Sequence, residues 1–168
     1  MSSLSFERRT LRLLHLEDSE ADHVLTMAHL RRGGLTLDAV RIDSEAEFLA
    51  AIDPAQDWDV IVSDYNLPGF SGLVALDLLK ASNRPIPFIL VSGEIGEDTA
   101  VEAMRNGASD YLLKNNLSRL VPAVMHAVEV HEVHLARLRA DRELKASKQR
   151  VHERVQHLQT SVESERAA

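Results

Sequence analysis

Between residues 11 and 117 short apolar runs alternate with segments of helical period, and turn-forming residues separate them. Five runs read as strands, at residues 11–16, 37–42, 60–63, 87–92 and 110–113. The runs VIVS and FILVS are apolar on both alternations and rich in β-branched residues, as expected of strands covered on both faces. The segments between them, 21–32, 44–52, 72–81 and 97–106, read as helices, and a further helix begins near Ser118. Ser44, with Glu47 three residues on, has the spacing of a capping box, and Ser118 reads as a second N-cap. Gly33-Gly34 and Asn106-Gly107 read as helix stops. Strand–helix alternation of this kind predicts an α/β chain with a doubly wound, five-stranded parallel sheet.

The pattern changes after Leu120. From there to about Arg166 there is no glycine, the single proline (Pro122) falls in the first turn, and Ala, Leu, Glu, Arg, Lys and Gln predominate. One continuous helix of that length would be roughly 70 Å long, which predicts that it projects from the domain. Leu120, Val124 and Val128, then Leu135 and Leu138, and later Val151, Val155, Leu158 and Val162 recur at three- and four-residue steps, the spacing of a coiled-coil seam. The mostly polar stretch RADRELKASKQR interrupts it, and a three-residue step through Leu144 predicts weaker pairing or a hinge. Since an apolar stripe of this length is unstable alone in water, the helix is expected to form a parallel homodimer. The organisation expected is an N-terminal extension (1–10), a folded domain (11–130) and a dimerising helix (131–168) continuous with the fifth helix.

Composition narrows the function. The 168 residues suffice for one domain and an appendage. Nineteen basic against 26 acidic residues give a net charge of −7, which disfavours direct nucleic-acid binding through phosphate attraction. Cysteine is absent, so no disulfide, thiol nucleophile or cysteine-bound zinc is available. The start does not read as a signal peptide, and no apolar run approaches the roughly 18 residues that span a bilayer. A soluble cytoplasmic protein with no membrane partner is expected.

Candidate chemistry gathers at the strand ends. LRLLHL runs into Glu17-Asp18, DVIVS into Asp64, and SDYLL into Lys114. Each has a bland explanation: acids favour helix N-termini, Asp64 with Asn66, Pro68 and Gly69 fits a loop, Ser92-Gly93 fits a turn, and Lys114 fits a solvated surface. In a parallel sheet, however, the carboxyl ends of strands converge on one crevice. Carboxylates brought that close raise one another's free energy unless a cation lies between them. Hard oxygen ligands suit magnesium, with Asp18 and Asp64 as ligands and Glu17 holding a metal-bound water. A carboxylate can attack phosphorus, while the metal, Lys114 and the Ser92 hydroxyl neutralise or bind the transferred oxygens.

LEDSEAD, VIVSDYNLPGFSG, ILVSG and GASDYLLK, in this order, resemble the receiver domain of bacterial two-component response regulators over about residues 11–130. The resemblance implies a flavodoxin-like receiver fold, Glu17 and Asp18 as the acidic pair, and Asp64 as phosphoacceptor. It implies the backbone carbonyl of Asn66 as a third protein ligand to Mg2+, Ser92 as the hydroxyl that senses the phosphoryl group, Lys114 as the lysine that contacts it, and Tyr111 as the aromatic switch. A histidine kinase is the implied partner, and self-phosphorylation and autodephosphorylation are the only implied activities. The sequence departs from the family at two points: Asn115 replaces the usual proline after the lysine, and Glu17 replaces the commoner aspartate.

The tail leaves two outputs open. ERVQHLQTSVESERAA resembles the segment before the phosphorylated histidine in one class of dimerising kinase helices, which would make the chain the N-terminal receiver of a larger hybrid histidine kinase. The other output is a stand-alone dimeric receiver that signals through protein contacts. A more distant alternative is a phosphatase of the haloacid dehalogenase type, also built on an aspartate nucleophile and magnesium. Its acid spacing after the first strand differs from that found here.

Overall fold

A computed structural model describes residues 9–94 and 96–168. Five parallel strands form one sheet: β1 (Thr10–Leu16), β2 (Thr36–Ile42), β3 (Val60–Asp64), β4 (Phe88–Ser92) and β5 (Asp110–Leu113). Their spatial order is β2-β1-β3-β4-β5. The order reverses beside β1, so the carboxyl ends of β1 and β3 flank the crevice where ligands of such sheets bind. Register carries this through: Leu16 lies opposite Ser63, and Asp64 opposite Val91. The crossover helices are α1 (Glu20–Arg32), α2 (Glu45–Ala51), α3 (Gly72–Ala81) and α4 (Glu97–Arg105). A two-residue hairpin, Asn66–Leu67 with Phe70–Ser71, follows β3; the sequence pattern gave no sign of it.

Strand alternation sends side chains to two layers. On one face Leu11, Leu13, Val60, Val62 and Ile89 pack with Met27 and Leu30 of α1. On the other, Leu14, Leu16, Ile61, Phe88 and Leu90 pack with Phe48, Leu76 and Leu79. Leu13, Leu14, Leu16, Ile61 and Leu90 have no exposed surface, and full burial of such a side chain stabilises by about 1.5–3 kcal/mol. Both faces of the sheet are therefore occupied, as the all-apolar runs foretold.

The helix ends follow the turn chemistry. Ser44 accepts from the Glu47 N–H at 3.2 Å, and its hydroxyl donates to Glu47 Oε1 at 2.9 Å. Gly34 and Gly107 sit at φ +98° and +97°, where a side chain would be strained, and the chain leaves α1 and α4 there. Ser118 does not cap. It lies within a 3₁₀ turn, Leu117–Arg119, and its hydroxyl donates to Asn116 Oδ1 at 2.7 Å. The long helix α5 then spans Leu120–Ala167.

The chain divides into two compact units, the first ending at His131 and the second Glu132–Ala168. Of the expected N-terminal extension, residues 1–8 lie outside the described residues, and Thr10 already belongs to β1. One expectation about the seam is corrected. Leu120, Val124 and Val128 are fully or almost fully buried in the core of the first unit, so their face is already occupied. In the second unit Leu138, Leu144, Val151, Val155, Leu158 and Val162 are exposed. The backbone is helical through residues 139–150. Among the described residues, no helix is long and apolar enough to cross a membrane.

Gly72 ties the fold to the crevice. A Cβ there would lie 2.5 Å from the backbone oxygen of Asp64 and 2.4 Å from Leu90 Cδ1. Leu90 can give way by rotation, but a strand carbonyl cannot. Gly72→Ala should therefore destabilise the chain by about 1–3 kcal/mol, measured by denaturant unfolding, and it should displace Asp64.

Candidate functional site

The strand ends converge as the topology requires. Oxygens of Glu17, Asp18 and Asp64 all lie within 4.8 Å of one another, with Glu17 and Asp64 buried and Asp18 exposed. Lys114, at the end of β5, donates from Nζ to Asp64 Oδ2 at 2.7 Å. The same Nζ lies 3.5 Å from Glu17 Oε2 and 3.7 Å from Asp22 Oδ2. Backbone bonds hold these groups in place. The Lys114 N–H donates to the Ser92 carbonyl at 2.8 Å, the Tyr65 N–H to Val91 at 2.9 Å, and the Gly72 N–H to Tyr65 at 2.8 Å. Glu17 Oε1 accepts from the Ser19 N–H at 3.1 Å, and Arg41 Nη1 donates to the Glu17 carbonyl at 3.1 Å.

Charge and burial compete here. Burial pushes the Glu17 carboxyl up to about 6, against the Ser19 N–H and Lys114, which pull it down. Burial alone would lower the Lys114 ammonium, but the hydrogen bond to Asp64 and the charges of Asp64, Glu17 and Asp22 outweigh it and raise its pKa. A cavity of about 210 Å³ at this cluster is lined by the apolar Val62, Val91 and Leu120 together with His15, Glu17, Asp22, Asp64 and Lys114.

Ser92 and Tyr111 meet at another point. The buried Ser92 hydroxyl donates to the Glu94 carbonyl at 3.1 Å and accepts the Glu94 N–H at 3.2 Å. The Tyr111 hydroxyl donates to the same carbonyl at 3.1 Å. One backbone oxygen thus serves both hydroxyls. Asn66, in the hairpin after β3, is exposed. The peptide after Lys114 is trans, like every described peptide bond.

Three residues near this site escaped the sequence reading. Asp22 was visible one helical turn after Asp18. His15 lies two residues before Glu17 and therefore on the same side of β1, a signal that period 2 carries. Its Nδ1 is 2.8 Å from Nδ1 of His23 on α1, one nitrogen donating to the other. His15 is 3% exposed, and burial, then His23, Lys114 and Arg41, push it down to about 3. Burial, then Arg41 and Arg31, lowers His23 as well.

The family model for the response regulator receiver domain matches residues 14–125, and the chain belongs to that family. It is 34% identical over 103 residues to response regulator protein FleR of Pseudomonas aeruginosa, covering 61% of this chain and 21% of that protein. It is 30% identical over 118 residues to the cell cycle transcriptional regulator CtrA of Caulobacter vibrioides, covering 70% of this chain and 50% of that one. The chain thus spans a half or less of the length of these relatives. Among solved structures, the receiver domain of a LuxO repressor protein from Vibrio parahaemolyticus matches with a TM-score of 0.67 at 23% identity, over 75% of this chain and 95% of that one. The beryllofluoride-activated NtrC4 receiver domain dimer matches with a TM-score of 0.62 at 27% identity, over 71% and 98%. Receiver domains are phosphoacceptor signalling modules that take phosphate from histidine kinases and bind Mg2+ at an acidic site, which displaces the phosphatase alternative. The relatives give no support to the expected absence of a nucleic-acid partner, since one is named a transcriptional regulator.

His15 and Glu17 predict opposing pH effects on the metal-free chain. Between about 3 and 6.5 the unfolded chain takes up a proton that folded His15 refuses, so stability falls as pH falls. Between 4.5 and about 6 the folded chain keeps a proton on Glu17 that the unfolded chain releases, so stability falls as pH rises. Each slope is at most about 1.4 kcal/mol per pH unit, and across 4.5–6 they offset one another. Relative to wild type, Glu17→Gln should lose stability more steeply on acidification through that window and His15→Leu less steeply, as read by denaturant unfolding at a series of pH values.

Proposed function

We infer that the chain accepts a phosphoryl group on Asp64 from the phosphohistidine of a partner histidine kinase. The observation that carries this is the 2.7 Å contact of Lys114 Nζ with Asp64 Oδ2 beside Glu17 and Asp18. A bond forms between an Asp64 carboxylate oxygen and phosphorus as the nitrogen–phosphorus bond breaks, and the leaving imidazole keeps that electron pair. Glu17, Asp18 and Asp64, with the backbone carbonyl of Asn66, would hold a magnesium ion; bound there, it offsets charge on the phosphoryl oxygens. Their oxygen-only donor set fits that ion. Lys114 supplies a positive charge to the same oxygens, and the Ser92 hydroxyl supplies a hydrogen bond. Loss of the group by autodephosphorylation and a cytoplasmic setting belong to the same reading.

The signal would leave through the shared Glu94 carbonyl. A dianionic group on Asp64 offers the Ser92 hydroxyl a stronger acceptor than a neutral carbonyl. If Ser92 turns to it, Glu94 loses one of two donors and Tyr111 is free to change its position. The second unit would carry the output as a parallel homodimer of helices. Support comes from Leu144, Val151, Val155, Leu158 and Val162, exposed at heptad-compatible spacing and unsuited to water. The NtrC4 receiver, matched above at 27% identity, was itself solved as an activated dimer. A second reading, the receiver portion of a larger hybrid histidine kinase, rests on the kinase-like run at residues 153–168.

Incubated with acetyl phosphate and magnesium, the wild-type chain should incorporate phosphate and Asp64→Asn should incorporate none; retained incorporation would sink the assignment. Molecular mass in solution, with and without beryllofluoride, should show a dimer in at least one state. A monomer in both would refute the coiled-coil claim.

A further inference from the structure

Asp22 has no part in the phosphoacceptor reading, yet its Oδ2 lies 3.7 Å from Lys114 Nζ. It stands in the first turn of α1, where its own N–H donates to the Ser19 hydroxyl at 3.2 Å. The ordinary explanation for an acid there is the positive end of the helix dipole, and that explanation needs no lysine. Here the lysine has three carboxylates within reach: Asp64 at 2.7 Å, Glu17 at 3.5 Å and Asp22 at 3.7 Å. Only the first two belong to the cluster with Asp18 that suits a divalent cation. A cation held by that cluster draws on the charge of Asp64 and Glu17 and leaves that of Asp22 undiminished. An ammonium on a flexible four-carbon stem turns toward the strongest remaining charge.

The geometry points to Asp22 as a positioning residue that competes with the transferred phosphoryl group for Lys114. This rests on Asp64 being the phosphoacceptor. With the cation bound and Asp64 unmodified, Lys114 turns from Asp64 to Asp22; when the phosphoryl group arrives, the ammonium must leave Asp22 to reach the new oxygens. Asp22 therefore acts as a brake, setting how much of the lysine's charge is available where phosphate is transferred. The brake is moderate, because the side chains of Lys114 and Asp22 are 35% and 51% exposed and water screens the pair. An ion pair of that exposure corresponds to about a two- to fivefold effect.

The test uses the full chain with magnesium, acetyl phosphate as donor and beryllofluoride as the phosphoryl mimic. Asp22→Asn should raise the maximal rate of phosphate incorporation by about two- to fivefold, with KM for the donor little changed, and should tighten beryllofluoride binding by a similar factor. Asp22→Glu, which keeps the charge, should restore wild-type behaviour. Combined with Lys114→Gln, Asp22→Asn should leave beryllofluoride affinity where Lys114→Gln alone puts it. Equal tightening in both backgrounds would mean an effect of net charge that bypasses Lys114, and would overturn the proposal. An independent readout needs no phosphate: the 15N resonance of the Lys114 ammonium in the magnesium-loaded chain should shift on Asp22→Asn. A chain that takes up phosphate but shows no such shift fails this proposal alone, whereas a chain that takes up none fails the phosphoacceptor reading, and the proposal falls with it.

Discussion

Three carboxylates within 4.8 Å of one another are tolerable in a folded chain only where positive charge stands among them, and Lys114 is the positive charge that β5 delivers. Its bond to Asp64 joins the end of β5 to the end of β3, two strands that are not neighbours in the sheet. The side chain of Asp64 is 7% exposed, so without Lys114 it would be a buried charge lacking a partner. The pair also leaves a charge surplus. Asp22, Glu17 and Asp18 add further carboxylates around one ammonium, and a divalent cation would reduce the repulsion among them. Burial, more than the neighbouring carboxylates, pushes the Glu17 carboxyl up to about 6.

The same crowding explains why the site is supported from beneath by backbone rather than by side chains. Gly72 presses close to the Asp64 carbonyl, the Lys114 N–H is bound to Ser92, and the Tyr65 N–H to Val91. A strand carbonyl or N–H has few alternative positions, so the carboxylates are held where a mobile loop would let them drift apart. Ser92 differs, because its hydroxyl is bonded to the backbone of Glu94 within its own loop. Tyr111 donates to the same Glu94 carbonyl that Ser92 uses.

The five strands, the helix stops at Gly34 and Gly107, and the Ser44 cap were legible in the chain because each depends on neighbours within a few residues. Where the structure departs from the pattern, the local signal fitted two settings equally well. Ser118 looks like a cap, but Asn116 takes its hydroxyl and a 3₁₀ turn precedes α5. Leu120, Val124 and Val128 look like the start of a seam that runs on to Val162. Their period is that of a helix in either setting, and only the position of the sheet shows that the first unit's core claims them.

By itself the sequence determined which residues gather at the strand ends: Glu17, Asp18, Asp64, Ser92 and Lys114 end or follow strand-like runs, and parallel topology sends such ends to one crevice. It also determined a long helix with an apolar stripe. Tertiary structure decided the rest, because distance between side chains is not a property of spacing. It brought Asp22 within 3.7 Å of Lys114 across from α1, and it buried His15 against His23. It also placed one Glu94 oxygen under both Ser92 and Tyr111.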